Sequence, residues 1–531
     1  MSNRLVMNSL SGGLLYVTSI AIAFVMSPVL IRALGNHNYG LWETVISVVG
    51  YMGLLDLGIG SALVRFVSVA DGKKDSEDLQ ETISTALMFF LTVGVISMAI
   101  FLSLSRFPHV VARRGTEGIG QLPAVLVLLG IDAAILFPLQ VFIASLLGLQ
   151  HHSFVNLSRA LLSTARAVVT FRLLRCYPAS GLLVIALLEP VFTLFQFVLF
   201  AGRMHYMKDV PKISLAKVTR RKLRDLFSFG ARSATMLVAG RLQNQSVPLI
   251  IGNAISMGSV IYFVIPNRLV DYGRGAAFAL GFPLAPYFGA QLAKDDPAAL
   301  RARWLQTAQA LLVVTMAMPP LLFFLGERFI SVWIGPDIAK AGHYTLLCLT
   351  AGLAVQALTP NAYSILSATA KHGSAAVVWL VVSILSVPAG IVGGIHWGVT
   401  GVAVATTVPI VVGSAYSLMK ALRELDMSLS DYLYATVRPL ILPLTCLAAV
   451  LSVMNGTLRT DSLIVIGFKA ACRASSLGSW AASEGWDVVG QLARAAWPGN
   501  PMQRVLSATL RRAALSGARG GVRAVVPGGQ E

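Results

Sequence analysis

Residues 11–31 read SGGLLYVTSIAIAFVMSPVLI, an apolar run long enough to cross a lipid bilayer. A membrane-spanning helix needs about 20 such residues, because each residue advances the helix by about 1.5 Å through a hydrocarbon layer about 30 Å thick. A single charged residue, Arg4, precedes the run, and the run lacks a convincing small-x-small cleavage site. We therefore predict a retained first transmembrane helix and not a cleaved signal peptide.

Similar apolar runs recur along the chain. The sequence is 56% hydrophobic and only 12% charged, which is more apolar surface than a water-soluble core of 531 residues could bury. In lipid, an α-helix satisfies the hydrogen bonds of all its backbone polar groups within one segment. We therefore predict an all-α polytopic membrane protein. We count thirteen runs, and a fourteenth that begins at Leu463 is broken by Lys469. The thirteen are Ser11–Ile31, Thr44–Val64, Ile83–Leu104, Leu122–Leu147, Ala160–Leu174, Gly181–Ala201, Leu226–Ile251, Val260–Ala285, Ala308–Phe324, Tyr344–Leu366, Ala375–Trp397, Gly401–Met419 and Val437–Met454.

Charge and motif content argue against several functional classes. The net charge of +18 comes largely from basic residues in short connections between apolar runs, which is typical of membrane topology and not of nucleic-acid binding. The sequence has no P-loop, G-x-S-x-G or H-E-x-x-H motif, so we predict neither an ATPase nor a hydrolase. The four cysteines and eight histidines show no metal-ligand spacing, so we predict no metal site and no cofactor.

The distribution of basic residues also predicts an orientation. With a cytoplasmic N-terminus, the inner connections hold about twice as many Lys and Arg residues as the outer ones, which favours that orientation. The densest basic stretch, Arg203 to Arg224, follows the sixth run and is predicted to be a cytoplasmic linker. An alternative interpretation is a docking patch for anionic lipids or a partner protein.

A weak internal repeat suggests two similar halves. The first run contains Ser27-Pro28-Val-Leu-Ile31, and the seventh contains Val247-Pro248-Leu-Ile-Ile251. A proline bends a spanning helix, and bends at matching positions are typical of duplicated transporters, although two such prolines could also coincide by chance. The predicted units are a six-helix lobe at 1–202, a linker at 203–225, a six-helix lobe at 226–421, additional helices at 422–467 and an atypical tail at 468–531.

Ionisable residues inside the spans are the candidate site residues. Each costs roughly 2.5–3.5 kcal/mol at a helix centre, so such residues usually face a bundle interior, a partner or a watery cavity. We predict that guanidinium groups between the two halves bind a phosphorylated anion, because arginine presents a planar fork of donors. The alternative is that some snorkel or form ion pairs between helices. The predicted cationic cavity comprises Arg159, Arg166, Arg241, Gln245, Arg268 and Arg274; the carboxylates with either a coupling or a structural role are Asp56, Asp132, Glu189 and Asp271.

The first connection carries a recognisable motif. It reads Arg32-Ala-Leu-Gly35-Asn-His-Asn-Tyr39-Gly40-Leu-Trp42, followed by Asp56-Leu57-Gly58 and Ala62-Leu-Val-Arg65. This pattern resembles the polysaccharide-transporter branch of the multidrug/oligosaccharidyl-lipid/polysaccharide (MOP) exporter superfamily. Glycines permit tight turns, and tyrosine and tryptophan suit the membrane interface, so we interpret the motif as structural. Its members are Gly35, Tyr39, Gly40, Trp42, Asp56, Gly58 and Arg65.

The resemblance implies a fold and a function. The expected fold is a V-shaped bundle of two six-helix lobes, with one or two further helices at the C-terminal end, in the bacterial inner membrane. The expected cargo is an oligosaccharide repeat unit on undecaprenyl pyrophosphate, flipped from the cytoplasmic to the periplasmic leaflet for O-antigen, capsule or exopolysaccharide assembly. Expected partners are membrane lipids and a polysaccharide polymerase or chain-length regulator.

Other functions remain open at this point. A peptidoglycan-precursor flippase or a cation-coupled multidrug antiporter of the same superfamily would share the architecture. A membrane-embedded polymerase or ligase would usually need a sizeable outer loop for catalysis, whereas the longest outer connection spans only about Ser105 to Gln121. The stretch 468–531 departs from the family pattern, and we expect it to be poorly ordered or the product of a shifted reading frame.

Overall fold

The computed structural model describes residues 2–112, 120–207, 210–281, 284–293, 296–359 and 361–457. The predicted fourteenth helix and the tail at 468–531 lie outside these residues. Within them the regular structure is helical. The α-helices are α1 Ser2–Met52, α2 Ile59–Lys73, α3 Ser76–Arg106, α4 Leu122–Gly148, α5 His152–Cys176, α6 Gly181–His205, α7 Arg220–Ala254, α8 Ile261–Gly281, α9 Leu284–Leu292, α10 Pro297–Thr315, α11 Met318–Trp333, α12 Pro336–Ala341, α13 His343–Ala357, α14 Ala362–Ala368, α15 Gly373–Glu424, α16 Leu429–Thr436 and α17 Arg438–Thr457.

Two of these helices are sharply kinked at a glycine. Gly35 interrupts α1 with a φ of 75°, and Gly398 interrupts α15 with a φ of 60°. Glycine adopts these left-handed angles without the steric cost that a Cβ atom brings. As a result, α1 carries the first predicted apolar run and the start of the second, and α15 carries the eleventh and the twelfth.

Among the described residues, six helical segments are long and apolar enough to cross a membrane, and up to eight pass if two bent pairs are each counted as one span. In the described residues each of the thirteen predicted apolar runs lies largely on helix, but α5, α7 and α8 do not meet this criterion because charged and amide side chains interrupt them. Large apolar side chains such as Val95, Leu161 and Ile395 are exposed on the outside of the bundle. An apolar surface of this extent requires lipid around it, so the chain is a multi-pass membrane protein.

The helices pack in two sets. In the first half of the chain, α4 packs on both α3 and α6, and α1 packs on α5. In the second half, α15 packs on α7 and α13, and α8 packs on α13. The halves meet where α1 lies against α7 and the turn before α8. This two-lobed arrangement leaves the polar faces of α1, α7 and α8 next to one another.

Small residues allow the tightest contacts. A Cβ atom added to Gly393 would lie 2.7 Å from the backbone oxygen of Gly401, on the other arm of the α15 kink. Small residues at such crossings let helix backbones approach closely in lipid, where dispersion forces replace the hydrophobic effect between helices. The α15 hairpin therefore depends on the lack of a side chain at Gly393.

We predict that Gly393→Ala destabilises the protein. Alanine normally stabilises a helix interior by about 0.5–1 kcal/mol relative to glycine, but here its methyl group overlaps a backbone, and overpacking costs about 1–3 kcal/mol. Thermal unfolding in detergent should show a lower midpoint. Gly373→Ala is the matched control, because a Cβ atom there meets nothing within 4 Å. If both variants unfold at the same temperature, the close crossing does not exist.

The basic linker is attached to the start of α3. Lys217 Nζ lies 2.6 Å from Glu77 Oε1, Lys222 pairs with Asp78, and the Thr219 hydroxyl donates to Glu81. The hydrogen bond and charge of Glu77 raise the pKa of Lys217 above its usual value. Three arginines on the same segment stay exposed at the surface: Arg220, Arg221 and Arg224. The paired residues of the basic stretch fit a linker, and its exposed arginines could still form a docking patch for anionic lipids or a partner protein.

Candidate functional site

The bend in α1 supplies a contact between the two halves. Pro28 lacks the N–H that would bond the carbonyl of Phe24 one turn earlier. The indole Nε1 of Trp333, in the second half, donates to that carbonyl at 2.9 Å, and the Phe24 and Trp333 rings stack at 4.9 Å. The freed carbonyl thus finds its partner across the interface, which agrees with the expectation that neighbouring helices repair proline bends.

The second proline is also at the interface. The Thr44 hydroxyl of α1 lies 3.4 Å from the carbonyl oxygen of Pro248 on α7, and the hydroxyls of Tyr51 and Ser246 are hydrogen-bonded. Both prolines of the predicted repeat therefore lie where the halves touch.

Arg268 on α8 forms a polar link between the halves. Its guanidinium donates to Glu43 Oε1 at 2.5 Å and to the Ser27 hydroxyl at 2.7 Å, both on α1. The same guanidinium carbon lies 5.8 Å from the centre of the Tyr39 ring. We call Arg268, Glu43, Ser27 and Tyr39 the interlobe latch. Arg268 is therefore committed to protein groups in this conformation.

The motif residues build the backbone around the latch. Tyr39 is fully buried and Trp42 nearly so. Gly40 lies so close to the backbone carbonyl of Met257 that a Cβ atom would overlap it. Gly58 has a φ of 79° and packs on Gly230, and Asp56 accepts a hydrogen bond from the Gly60 N–H at 2.9 Å. Arg65 covers the Phe229 ring at 4.5 Å. In these contacts the motif residues shape the chain and join the halves.

Arg241 and Gln245 on α7 face two glycines, one near the end of α1 and one in the turn that follows it. A Cβ atom at Gly53 would lie 2.9 Å from Arg241 Nη2, and Gly50 leaves similar room for Gln245. Arg241 is near enough to Asp56 to interact electrostatically, but among the described residues it has no carboxylate within salt-bridge distance. The glycines therefore leave room for the polar face of α7, and the positive charge of Arg241 is only weakly neutralised.

The first half contains a separate polar cluster on α4, α5 and α6. Arg166 pairs with Glu189, and the Thr193 hydroxyl donates to Asp132 Oδ1 at 2.6 Å. Asp132 is 5% exposed and has no arginine or lysine in bonding contact within the described part of the chain. Arg159, two turns before Arg166 on α5, is exposed and forms no salt bridge with any described residue. Of the two predicted cations on α5, Arg166 is therefore neutralised by Glu189, and Arg159 has no described counter-ion.

The second half contains a third polar group. Arg274 Nη1 donates to Asp271 Oδ1 at 2.6 Å, and Asn267 Nδ2 donates to Asp271 Oδ2 at 2.8 Å. Asp271 also senses the charge of Arg268. A small cavity of about 20 Å³ opens beside Arg274, with amide side chains of α7 and α8 in its wall.

The five predicted arginines do not form one cluster in this conformation. Arg241, Arg268 and Arg274 lie on α7 and α8, whereas Arg159 and Arg166 lie on α5. Three of them are held in ion pairs, as the alternative interpretation had it: Arg166, Arg268 and Arg274. Glu43, the partner of Arg268, is not among the site residues predicted from the sequence. Its signal was an acidic residue at the very edge of an apolar run, beside Trp42.

Comparison with known proteins now decides the family. The family model described as "Polysaccharide biosynthesis protein" matches residues 5–289, more than half of the chain. The chain belongs to this family. The chain is also similar to the "uncharacterized membrane protein EpsK" of Bacillus subtilis (strain 168), with 23% identity over 420 residues that cover 75% of this chain and 79% of EpsK.

Solved structures agree on the fold. An inward-facing multidrug resistance MATE family transporter of the MOP superfamily is similar with a TM-score of 0.64 at 14% identity, covering 77% of this chain and 94% of that one. The lipid II flippase MurJ, in an inward closed conformation, gives a TM-score of 0.64 at 13% identity, covering 85% and 98%. The predicted polysaccharide family and the all-α, two-lobed fold are confirmed.

Proposed function

We propose that this flippase-type transporter carries undecaprenyl-pyrophosphate-linked oligosaccharide repeat units from the cytoplasmic to the periplasmic leaflet. The units would feed O-antigen, capsule or exopolysaccharide assembly. The proposal includes a bacterial inner-membrane location with a cytoplasmic N-terminus, and rocking of residues 1–202 against residues 226–421. A polysaccharide polymerase or chain-length regulator would act on the product.

One observation supports an anionic cargo. Arg159 on α5 and Arg241 on α7 belong to opposite halves, and neither is matched by a described carboxylate at salt-bridge distance. An unmatched guanidinium among spanning helices is costly, and a phosphate with several acceptor oxygens would neutralise it with charge-assisted hydrogen bonds. A lipid-linked pyrophosphate has that chemistry. The likeness to the lipid II flippase supports the fold, and a peptidoglycan precursor stays the closest alternative cargo.

A cation-coupled multidrug antiporter is the second candidate, and Asp132 is the observation that favours it. A buried carboxylate without a bonded cation is a suitable place for a coupling proton or metal cation. The two ideas separate in the cell, because an antiporter would change drug susceptibility, whereas a flippase would change the leaflet that holds the saccharide.

The test measures which leaflet holds the lipid-linked saccharide. In a deletion strain of the native host, a membrane-impermeant probe should find the saccharide retained on the cytoplasmic side, and the wild-type gene should restore periplasmic labelling. Arg159→Gln and Arg241→Gln should each reduce the restored labelling by about tenfold, the effect of one lost charge-assisted contact.

Arg303→Gln is the control for these variants, because Arg303 is exposed on α10 and, within the described part of the chain, its side chain bonds only to Gln306, at 3.4 Å. It should restore labelling fully. Normal periplasmic labelling in the deletion strain, together with unpolymerised units, would place the protein at a later step and contradict the proposal.

A further inference from the structure

A small recess lies entirely within the second half. Its walls come from α7, α8, α13 and α15, and its polar lining is Gln243, Asn244, Asn267, Arg274 and Thr406. We call these five residues the amide recess. Its volume of about 20 Å³ has room for about one water molecule, so it admits one functional group at a time.

Arg274 lines this recess, and one edge of its guanidinium has no partner among the described residues. Its Nη1 donates to Asp271, but Nε and Nη2 are buried and have no hydrogen-bond acceptor among the described residues. These two nitrogens are on one edge of the planar guanidinium, so their N–H groups point side by side and suit two neighbouring oxygen atoms. Buried donors without acceptors are unfavourable, and the arrangement therefore calls for a ligand that supplies both oxygens.

The net charge of the recess indicates whether the ligand oxygens belong to a phosphate or to a sugar. Asp271 already neutralises Arg274 at 2.6 Å, and the other polar lining groups are amides and one hydroxyl. A phosphate would bring between one and two negative charges into an electrically neutral site, which is unfavourable where water is scarce. Neighbouring hydroxyl or ring oxygens of a sugar bring no charge, and amides match hydroxyl groups because both donate and accept.

We infer that the amide recess binds the hydroxyl-bearing edge of one sugar unit of the cargo, with the rest of the ring at its mouth. Phe263, also in the wall, offers an apolar surface to such a ring. This inference rests on the proposed saccharide flippase. It gives Arg274 a different task from the phosphate contact expected from the sequence: Arg159 and Arg241 hold the pyrophosphate, and Arg274 recognises the sugar.

Saturation-transfer NMR on the full-length, detergent-purified transporter tests this division. The probes are the methyl glycosides of glucose, galactose, mannose and N-acetylglucosamine, together with methyl phosphate. Arg274→Lys keeps the charge but loses the planar fork. At least one glycoside should give a signal that falls about tenfold in Arg274→Lys, while the methyl phosphate signal stays within about twofold of wild type.

Two further variants complete the design. Asn244→Ala removes an exposed amide of the recess with little risk to folding and should also weaken the glycoside signal. Arg303→Lys, on the exposed face of α10, should change neither signal. The inference is wrong if no glycoside signal depends on Arg274, or if methyl phosphate depends on it instead.

The leaflet assay separates the two ideas. A transporter that moves lipid-linked saccharide but shows no Arg274-dependent glycoside signal would overturn the recess and leave the proposed function intact. Arg274-dependent glycoside binding without translocation in the cell would support the recess and overturn the flippase.

Discussion

Glu43→Gln is expected to lower the stability of the protein by about 3 kcal/mol, at the lower end of the range for breaking a buried ion pair. The carboxylate is 15% exposed and its partner Arg268 is 28% exposed, so solvent can compensate only part of the loss. The amide keeps the shape of the side chain but leaves Arg268 without its counter-charge. Thermal unfolding in detergent should show the decrease in the midpoint.

The same variant should loosen the contact between the halves, because the interlobe latch is formed by α1 on one side and α8 on the other. A cysteine introduced at Ser27, which is fully buried in the latch, should react faster with a thiol reagent in the Glu43→Gln background. Accessibility that does not change would mean that the halves stay together without the ion pair.

Glu327→Gln is the matched control for Glu43. Glu327 lies 2.9 Å from His343, but its side chain is 44% exposed. Exposed pairs contribute about 0–1 kcal/mol, so this variant should unfold close to the wild-type temperature. An equal loss in both variants would show that removing any carboxylate near the interface is harmful and would remove the special role of Glu43.

The fold was predictable because it depends on local properties of the sequence. Apolar length defines spanning helices, and the pattern around Gly35 and Trp42 identifies the superfamily. The kinks at Gly35 and Gly398 were harder to predict, since each depends on the backbone angles of a single glycine. The apolar runs that predict α5, α7 and α8 are interrupted by charged residues, and several of those residues are the candidate site residues.

The partners of the candidate residues were less predictable, because they depend on which helices meet. Asp271 and Arg274 are three residues apart on one helix, and their pairing follows from helical geometry. Arg268 and Glu43 are 225 residues apart in sequence, and no local pattern connects them. Which edge of Arg274 lacks a partner among the described residues is an atomic detail that depends on where α7, α13 and α15 end up around it.

Asp78→Ala should produce the second large loss, about 3 kcal/mol, because it leaves a buried lysine without a counter-charge. Lys222, on the first turn of α7, has a side chain only 5% exposed and pairs with Asp78 on the first turn of α3. Its ammonium also lies 5.5 Å from the centre of the Phe66 ring, which would retain part of the favourable interaction. The variant should therefore unfold at a lower temperature but still fold.

Glu77→Ala, one residue earlier, gives the comparison that isolates burial. Glu77 pairs with Lys217 at 2.6 Å, but its side chain is 76% exposed, so water replaces the lost contact and the expected change is within about 1 kcal/mol. Both residues lie in the first turn of α3, where a carboxylate also favours the positive end of the helix dipole, so that contribution cancels in the comparison. Since Lys222 lies in the first turn of α7, a large difference between the variants would show that the linker is held to the first half by this buried pair. Equal midpoints would mean that the linker is held instead by its exposed contacts, and movement of the halves would then be sensitive to salt.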